Sequence, residues 1–115
     1  MPAYYKVLGQ AQPSPNTFTD LYSVPGGANA VISTVNVCNL STSNVTFRLM
    51  VRPAGPSGIA NTVASQQYLA FNVPVATYDA TAISIGMSLG AGDIITGHST
   101  EGNVAFTVFG TEIRF

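Results

Sequence analysis

The chain has 115 residues, four of them Lys or Arg and five Asp or Glu, for a net charge of −1. That length is one domain rather than two, and the charge leaves no basic surplus for neutralising several phosphates, so nucleic acid is not an expected partner. Charged residues make up 8% of the chain against about 25% in ordinary domains, and none falls between Asp20 and Arg48 or between Arg52 and Asp79.

The first strand expected is YYKVLGQ (4–10), with no charged start, long apolar run or cleavage site to make it a signal peptide. A PSPN breaker (13–16) follows, then LYSV (21–24) and a PGGAN turn (25–29). In AVISTVNVC (30–38), a period of two places Val31, Val35 and Val37 on one face and Ile32, Thr34, Asn36 and Cys38 on the other. Cys38 is the lone cysteine, which excludes an intrachain disulfide and fits folding in a reducing cytoplasm. Asn39-Leu40-Ser41 and Asn44-Val45-Thr46 match the glycosylation pattern by chance in a chain rich in Asn, Ser and Thr.

VTFRLMVR (45–52) alternates strictly, with Val45, Phe47, Leu49 and Val51 on one side and Thr46, Arg48, Met50 and Arg52 on the other. Arg48 and Arg52 then point the same way, roughly 13 Å apart, with Met50 between them. Arg and Met are both enriched in interfaces, so this face competes on equal terms with an ordinary solvated one. Residues 53–66, PAGPSGIANTVASQ, form a long patternless loop of the kind that often makes contacts. Ile59 and Val63 are its apolar residues, available to a partner or to the sandwich edge. The candidate interface is therefore Arg48, Met50, Arg52, Ile59 and Val63.

In YLAFNV (68–73), Leu69, Phe71 and Val73 share a face; in AISIGMSL (82–89), Ile83, Ile85, Met87 and Leu89 do. DIITGH (93–98) lies between LGAGD and STEGN turns. In NVAFTVFGTEIRF (103–115), Val104, Phe106 and Val108 line one side, and Phe109, Ile113 and Phe115 the other. Gly110 marks either a bulge that re-aims the strand or a central strand buried on both faces. Glu112 and Arg114 share a face there. No segment has the 3.6-residue period of an amphipathic helix, and no apolar run approaches the 18 residues of a membrane span. The expected fold is all-β: a single-domain antiparallel β-sandwich, jelly-roll-like, of about eight strands. The expected division is an N-terminal strand and Pro-containing loop over residues 1–20, a candidate contact arm, and a sandwich core over residues 21–115, all in one domain.

The residues offer little to a reaction. His98 is the only histidine, and Asp93, five positions earlier on one strand, falls on the opposite face. One Cys and one His do not make a zinc site. Asp93 and Glu101 are isolated acids in separate turns, too few for a calcium loop, and turn chemistry explains Asp93. GPSG (55–58) and GAG (90–92) neither lead into a helix nor carry a phosphate-loop lysine. No enzyme activity and no cofactor or metal are expected.

Three blocks carry a resemblance. LYSVPGGANAVISTVNVCN (21–39), LGAGDII (89–95) and NVAFTVFGTEI (103–113) are similar, in order and combination, to small virion structural proteins of tailed bacteriophages. The resemblance implies a non-enzymatic particle component: a capsid cement or decoration protein, made in the bacterial host cytoplasm and placed on the outer capsid surface. It implies a homotrimer whose partner is the major capsid protein. A tail, fibre or baseplate component is the alternative. A carbohydrate-binding β-sandwich is the second; it would use Tyr4, Tyr5, Tyr22, Tyr68 or Tyr78 as sugar platforms in the absence of Trp.

Overall fold

The computed structural model describes residues 3–55, 61–84 and 86–114. The strands are β1 (Ala3–Ala11), β2 (Thr19–Ser23), β3 (Ala28–Asn39), β4 (Val45–Arg52), β5 (Tyr68–Val75), β6 (Ala80–Ile83), β7 (Met87–Leu89), β8 (Ile94–Ser99) and β9 (Val104–Arg114). One 3₁₀ turn, Ser65–Gln67, precedes β5. The expected single strand over 82–89 is two short ones, and both pair antiparallel with β3. Ile85 lies outside the described residues.

Two antiparallel sheets result. Sheet A has the order β1-β9-β3-β6, with β7 also on β3; sheet B has the order β2-β8-β4-β5. If β6 and β7 are taken as one interrupted strand, the pairing is nested. The first strand pairs with the last, the second with the second-last, and so inward to β4 with β5. This wrapped hairpin is a jelly-roll sandwich.

The core lies between the sheets. Ile32, Val35, Val37, Phe106 and Val108 from sheet A meet Phe47, Leu49 and Ile95 from sheet B. Phe47 and Phe106 meet edge to face, with ring centroids 6.1 Å apart, the favoured geometry for an aromatic pair. The alternation read from 45–52 holds: Val45, Phe47 and Leu49 are buried inward.

Bulges occur in β1, β2, β3 and β5, and those in β3 and β5 rearrange the expected faces. In β3 the register against β9 shifts between Ile32 and Thr34. The extra residue, Ser33, lets Ile32 and Val35 both face the core and leaves Val31 exposed, so Val31 does not share a face with Val35 and Val37. In β5 the register against β4 shifts twice, and Asn72 adopts a left-handed φ of 52°. Ala70 and Val73 therefore pack on the core while Leu69 and Phe71 stay exposed, which separates the expected trio Leu69, Phe71 and Val73.

Gly110 is a different case. The strand holding it keeps its face: Val104, Phe106, Val108 and Glu112 all point inward. The irregularities are in its neighbours, at Leu8 of β1 and Ser33 of β3. Both expected readings of Gly110 are thus corrected, since β9 is not itself bulged and its outer Phe109 is exposed. A Cβ on Gly110 would stand 2.2 Å from the Val31 carbonyl oxygen, so only glycine lets the bulged strand pass. Gly26 and Gly27 form the expected turn into β3, with Gly27 at φ 77°. Asp93 does the turn chemistry expected of it: its carboxylate accepts the Gly90 N–H at 2.9 Å and the Ala54 N–H at 2.8 Å.

Candidate functional site

The register defines what the outside of sheet A presents. Tyr5 lies opposite Thr111, Thr111 opposite Val31, and Val31 opposite Ser88, forming one row across four strands. In the next row Val7 faces Phe109, and Phe109 faces Thr34. Farther along, Gln10, Thr107, Asn36 and Ala82 are paired in turn. Tyr5, Val7, Val31 and Phe109 are exposed hydrophobics. No charged side chain occurs on this outer face among the described residues. Every charge is accounted for elsewhere: Asp20, Arg48 and Arg52 on sheet B; Asp79, Asp93 and Glu101 in turns; Lys6, Glu112 and Arg114 on the inward side of sheet A.

Four strands spaced about 4.8 Å apart, each crossing about eight residues, cover roughly 20 Å by 27 Å. That is the order of the ~800 Å² one partner contributes to a standard interface, and interface centres are depleted in charge. At one end of the face, Asn29, Val31, Ser88 and Ile113 line a groove of about 360 Å³.

Six of the nine charges gather into two clusters. In the first, Glu112 is 2% exposed. Its carboxylate accepts the Tyr22 hydroxyl at 2.7 Å and the Arg114 guanidinium at 2.6 and 2.7 Å, with Lys6 at 3.9 Å. Glu112 and Arg114 thus share a face, as their spacing requires. The Tyr22 hydrogen bond, with Arg114 and Lys6, holds the Glu112 pKa below its ordinary value of 4.5, against the opposing effect of burial. Burial and Glu112 together push the Tyr22 phenol upward.

The second cluster is on sheet B. Arg48 donates to Asn72 Oδ1 at 2.8 Å and its guanidinium lies 4.2 Å from the Phe71 ring centre. Tyr68 packs edge-on against Phe71 at 4.9 Å. Arg52 pairs with Asp20 at 2.6 Å and donates to Thr96 Oγ1 and the Asn61 carbonyl. Val63 is exposed, and with Phe18, Asp20, Arg52 and Thr96 it lines an open groove of about 440 Å³. The two arginines share a face as expected, but each is engaged by a different set of partners. Met50, between them, is 1% exposed and presents no surface. Ile59 lies outside the described residues.

His98 is buried on the same face, 4.5 Å from the Phe18 ring and opposite Arg48, and its Nδ1 has no hydrogen-bond partner among the described residues. Burial, then Arg48, lowers its pKa from 6.5. The Asp93 oxygens are occupied by backbone amides and do not approach it.

These two shifts act on stability in the same direction. A histidine held neutral favours the unfolded state once pH falls below 6.5. A carboxylate held ionised contributes fully above pH 4.5, and that contribution is lost as pH falls through its lower folded-state value. Acid denaturation monitored by circular dichroism should therefore begin below pH 6.5 and steepen below pH 4.5. Glu112→Gln should remove the lower step; an unchanged acid limb in that variant would show that Glu112 is not its source.

The sandwich is an all-β jelly roll with one uncharged face. No protein family model matches the chain, and no curated protein matches it. Among solved structures, the chain is similar to one in the structure of infectious bursal disease virus Gt strain, with TM-score 0.56 and 11% identity over 98% of this chain and 33% of that one. A pentameric capsid protein isolated from metagenomic phage sequences matches with TM-score 0.28 and 17% identity, over 96% of this chain and 64% of that one. The chain spans one third of the length of the first. At that identity the likeness shows a shared fold.

Proposed function

We propose that this protein is a non-enzymatic structural component of a virus particle, and within that class a cement or decoration protein bound to the major capsid protein on the outer shell of a tailed phage. The observation that carries the reading is the uncharged outer face of sheet A. A partner covering it desolvates no ion, so apolar burial at Tyr5, Val7, Val31 and Phe109 is not opposed by charge desolvation. The jelly-roll likeness to a chain from a virus structure supports the same class. The mechanism is passive: bridging neighbouring subunits adds buried surface without chemistry. A bridge needs a second contact, and the Arg48–Phe71 platform on sheet B, with the Arg52 groove that Val63 lines from the adjoining loop, provides one with the polar, aromatic and arginine-rich character of interface rims and anchors.

The test is cosedimentation of the purified protein with empty capsids. Phe109→Glu places a charge at the centre of the face on an already exposed side chain, so the fold should persist, and binding should weaken more than tenfold, which is about 1.4 kcal/mol. Arg48→Ala with Arg52→Ala should weaken it by a smaller factor. Binding unchanged by Phe109→Glu removes sheet A from the contact. Sedimentation with tails rather than shells moves the protein to the tail, fibre or baseplate class, and retention on a glycan array moves it to the carbohydrate-binding one.

A further inference from the structure

A sandwich has four sheet edges, and three of these are blunted. On the sheet B side, β5 carries Pro74, the left-handed Asn72 and two register shifts, and β2 has only five residues and a shift of its own. On the far side of sheet A, β6 and β7 are four and three residues long. Short strands, proline and bulges are the usual protection against unwanted pairing. The fourth edge, β1, has nine residues and one irregularity, at Leu8. Every second residue of an edge strand turns its N–H and C=O away from the one strand it pairs with; for β1, among the described residues, that strand is β9.

The segment Ala3–Val7 stands out further, because all five residues are exposed. Alternation would bury every second one, so this stretch projects past the cover of sheet B. Tyr5 is 84% exposed, and Tyr4 and Val7 are exposed too, giving both surfaces of the strand a large apolar side chain.

We infer that β1 is a strand-pairing site for a second copy of this chain, with the two β1 strands antiparallel about a twofold axis at Tyr5. The sequence is self-complementary in that register. Tyr5 meets its own copy, Ala3 meets Val7, and Tyr4 meets Lys6. The only charge in the strand therefore lies across from an aromatic ring, a favourable pairing, rather than across from its own image. Lys6 also lies 3.9 Å from the buried Glu112 carboxylate, which offsets its charge. Pairing would satisfy the free backbone groups and join the two uncharged faces into one continuous surface. A twofold of this kind takes the place of the trimer that the resemblance implies.

The test is sedimentation equilibrium of the full chain without capsids, at about 100 µM because one strand pair is a low-end interface. The expected mass is twice that of the chain, falling on dilution. Tyr5→Lys sets two ammonium groups face to face at the axis and should give a monomer with an unchanged circular dichroism spectrum and melting temperature. Phe71→Lys, on the edge of sheet B, should leave the dimer intact. Amide exchange in residues 3–7 should slow with protein concentration in the wild type and not in Tyr5→Lys. A monomer, a trimer, or a dimer indifferent to Tyr5→Lys would overturn the proposal and leave the virion reading, tested by capsid binding, standing on its own.

Discussion

Gly110→Ala is expected to destabilise the protein by about 3 kcal/mol, lowering the melting temperature by roughly 10–15 °C for a domain of this size. The added methyl would stand 2.2 Å from the Val31 carbonyl oxygen, 3.1 Å from Ile32 Cα and 3.1 Å from Leu8 Cδ1. The first two are backbone atoms of β3, which cannot rotate aside as a side chain does. Relief requires β3 and β9 to separate at the Ser33 bulge, in the middle of sheet A. Gly26→Ala is the matched control: a Cβ there meets nothing within 4 Å, and its effect should stay within about 0.5 kcal/mol. Equal melting temperatures for the two variants would show that β3 relaxes freely at the bulge.

The second large effect is expected at Asn39, which is 1% exposed at the end of β3. Its Nδ2 donates to the carbonyls of Ser43, Val75 and Ala76 at 2.8–3.1 Å, and its Oδ1 accepts the Ser41 N–H and hydroxyl. One side chain thus ties the turn after β3 to the turn after β5. Asn39→Ala strands those carbonyls and should cost about 3 kcal/mol in urea unfolding. Asn39→Asp should cost more at neutral pH, because a carboxylate would face three carbonyl oxygens with no cation among its partners. The difference should narrow in acid, where a protonated carboxyl regains one donor. If Asn39→Asp is as stable as wild type at neutral pH, the three carbonyl contacts are not what holds the turns together. The same burial removes the Asn39 glycosylation pattern from consideration, since the amide is fully enclosed.

What the sequence made legible follows the physics of alternation. Strands whose pairing is regular, such as 45–52, display their inward residues directly, and the Pro/Gly/Asn turns between strands are chemically marked. The β-sandwich class and most strand positions follow from these signals. Bulges are different: Ser33, Leu8 and the pair of shifts in β5 leave no composition cue, yet each exchanges the two faces for everything beyond it. For that reason Val31 shares the expected face with Val35 and Val37 in the sequence and proves exposed; Met50 keeps its expected outward face, in unbroken register with β8, and is nevertheless buried there. The uncharged face had a visible trace, the charge-free run from Leu21 to Phe47. Its position was not visible, because it is assembled from β1, β9 and β3 by long-range register. Glu112 was legible as sharing a face with Arg114 from its spacing, but not as a buried carboxylate, since Tyr22 reaches it from the other sheet.

The nested pairing also constrains the order in which the molecule can form. Only β4 and β5 are close in sequence; every other pair encloses a longer loop, out to β1 with β9. Loop closure costs more entropy as the enclosed chain lengthens, unless an inner pair has already closed it. Loop entropy therefore favours an order that starts at the middle hairpin and finishes with the strand that bears the exposed tyrosines. Such a topology belongs to the slow end of folding, milliseconds to seconds. During that interval the last edge to close is the one that offers itself to another chain.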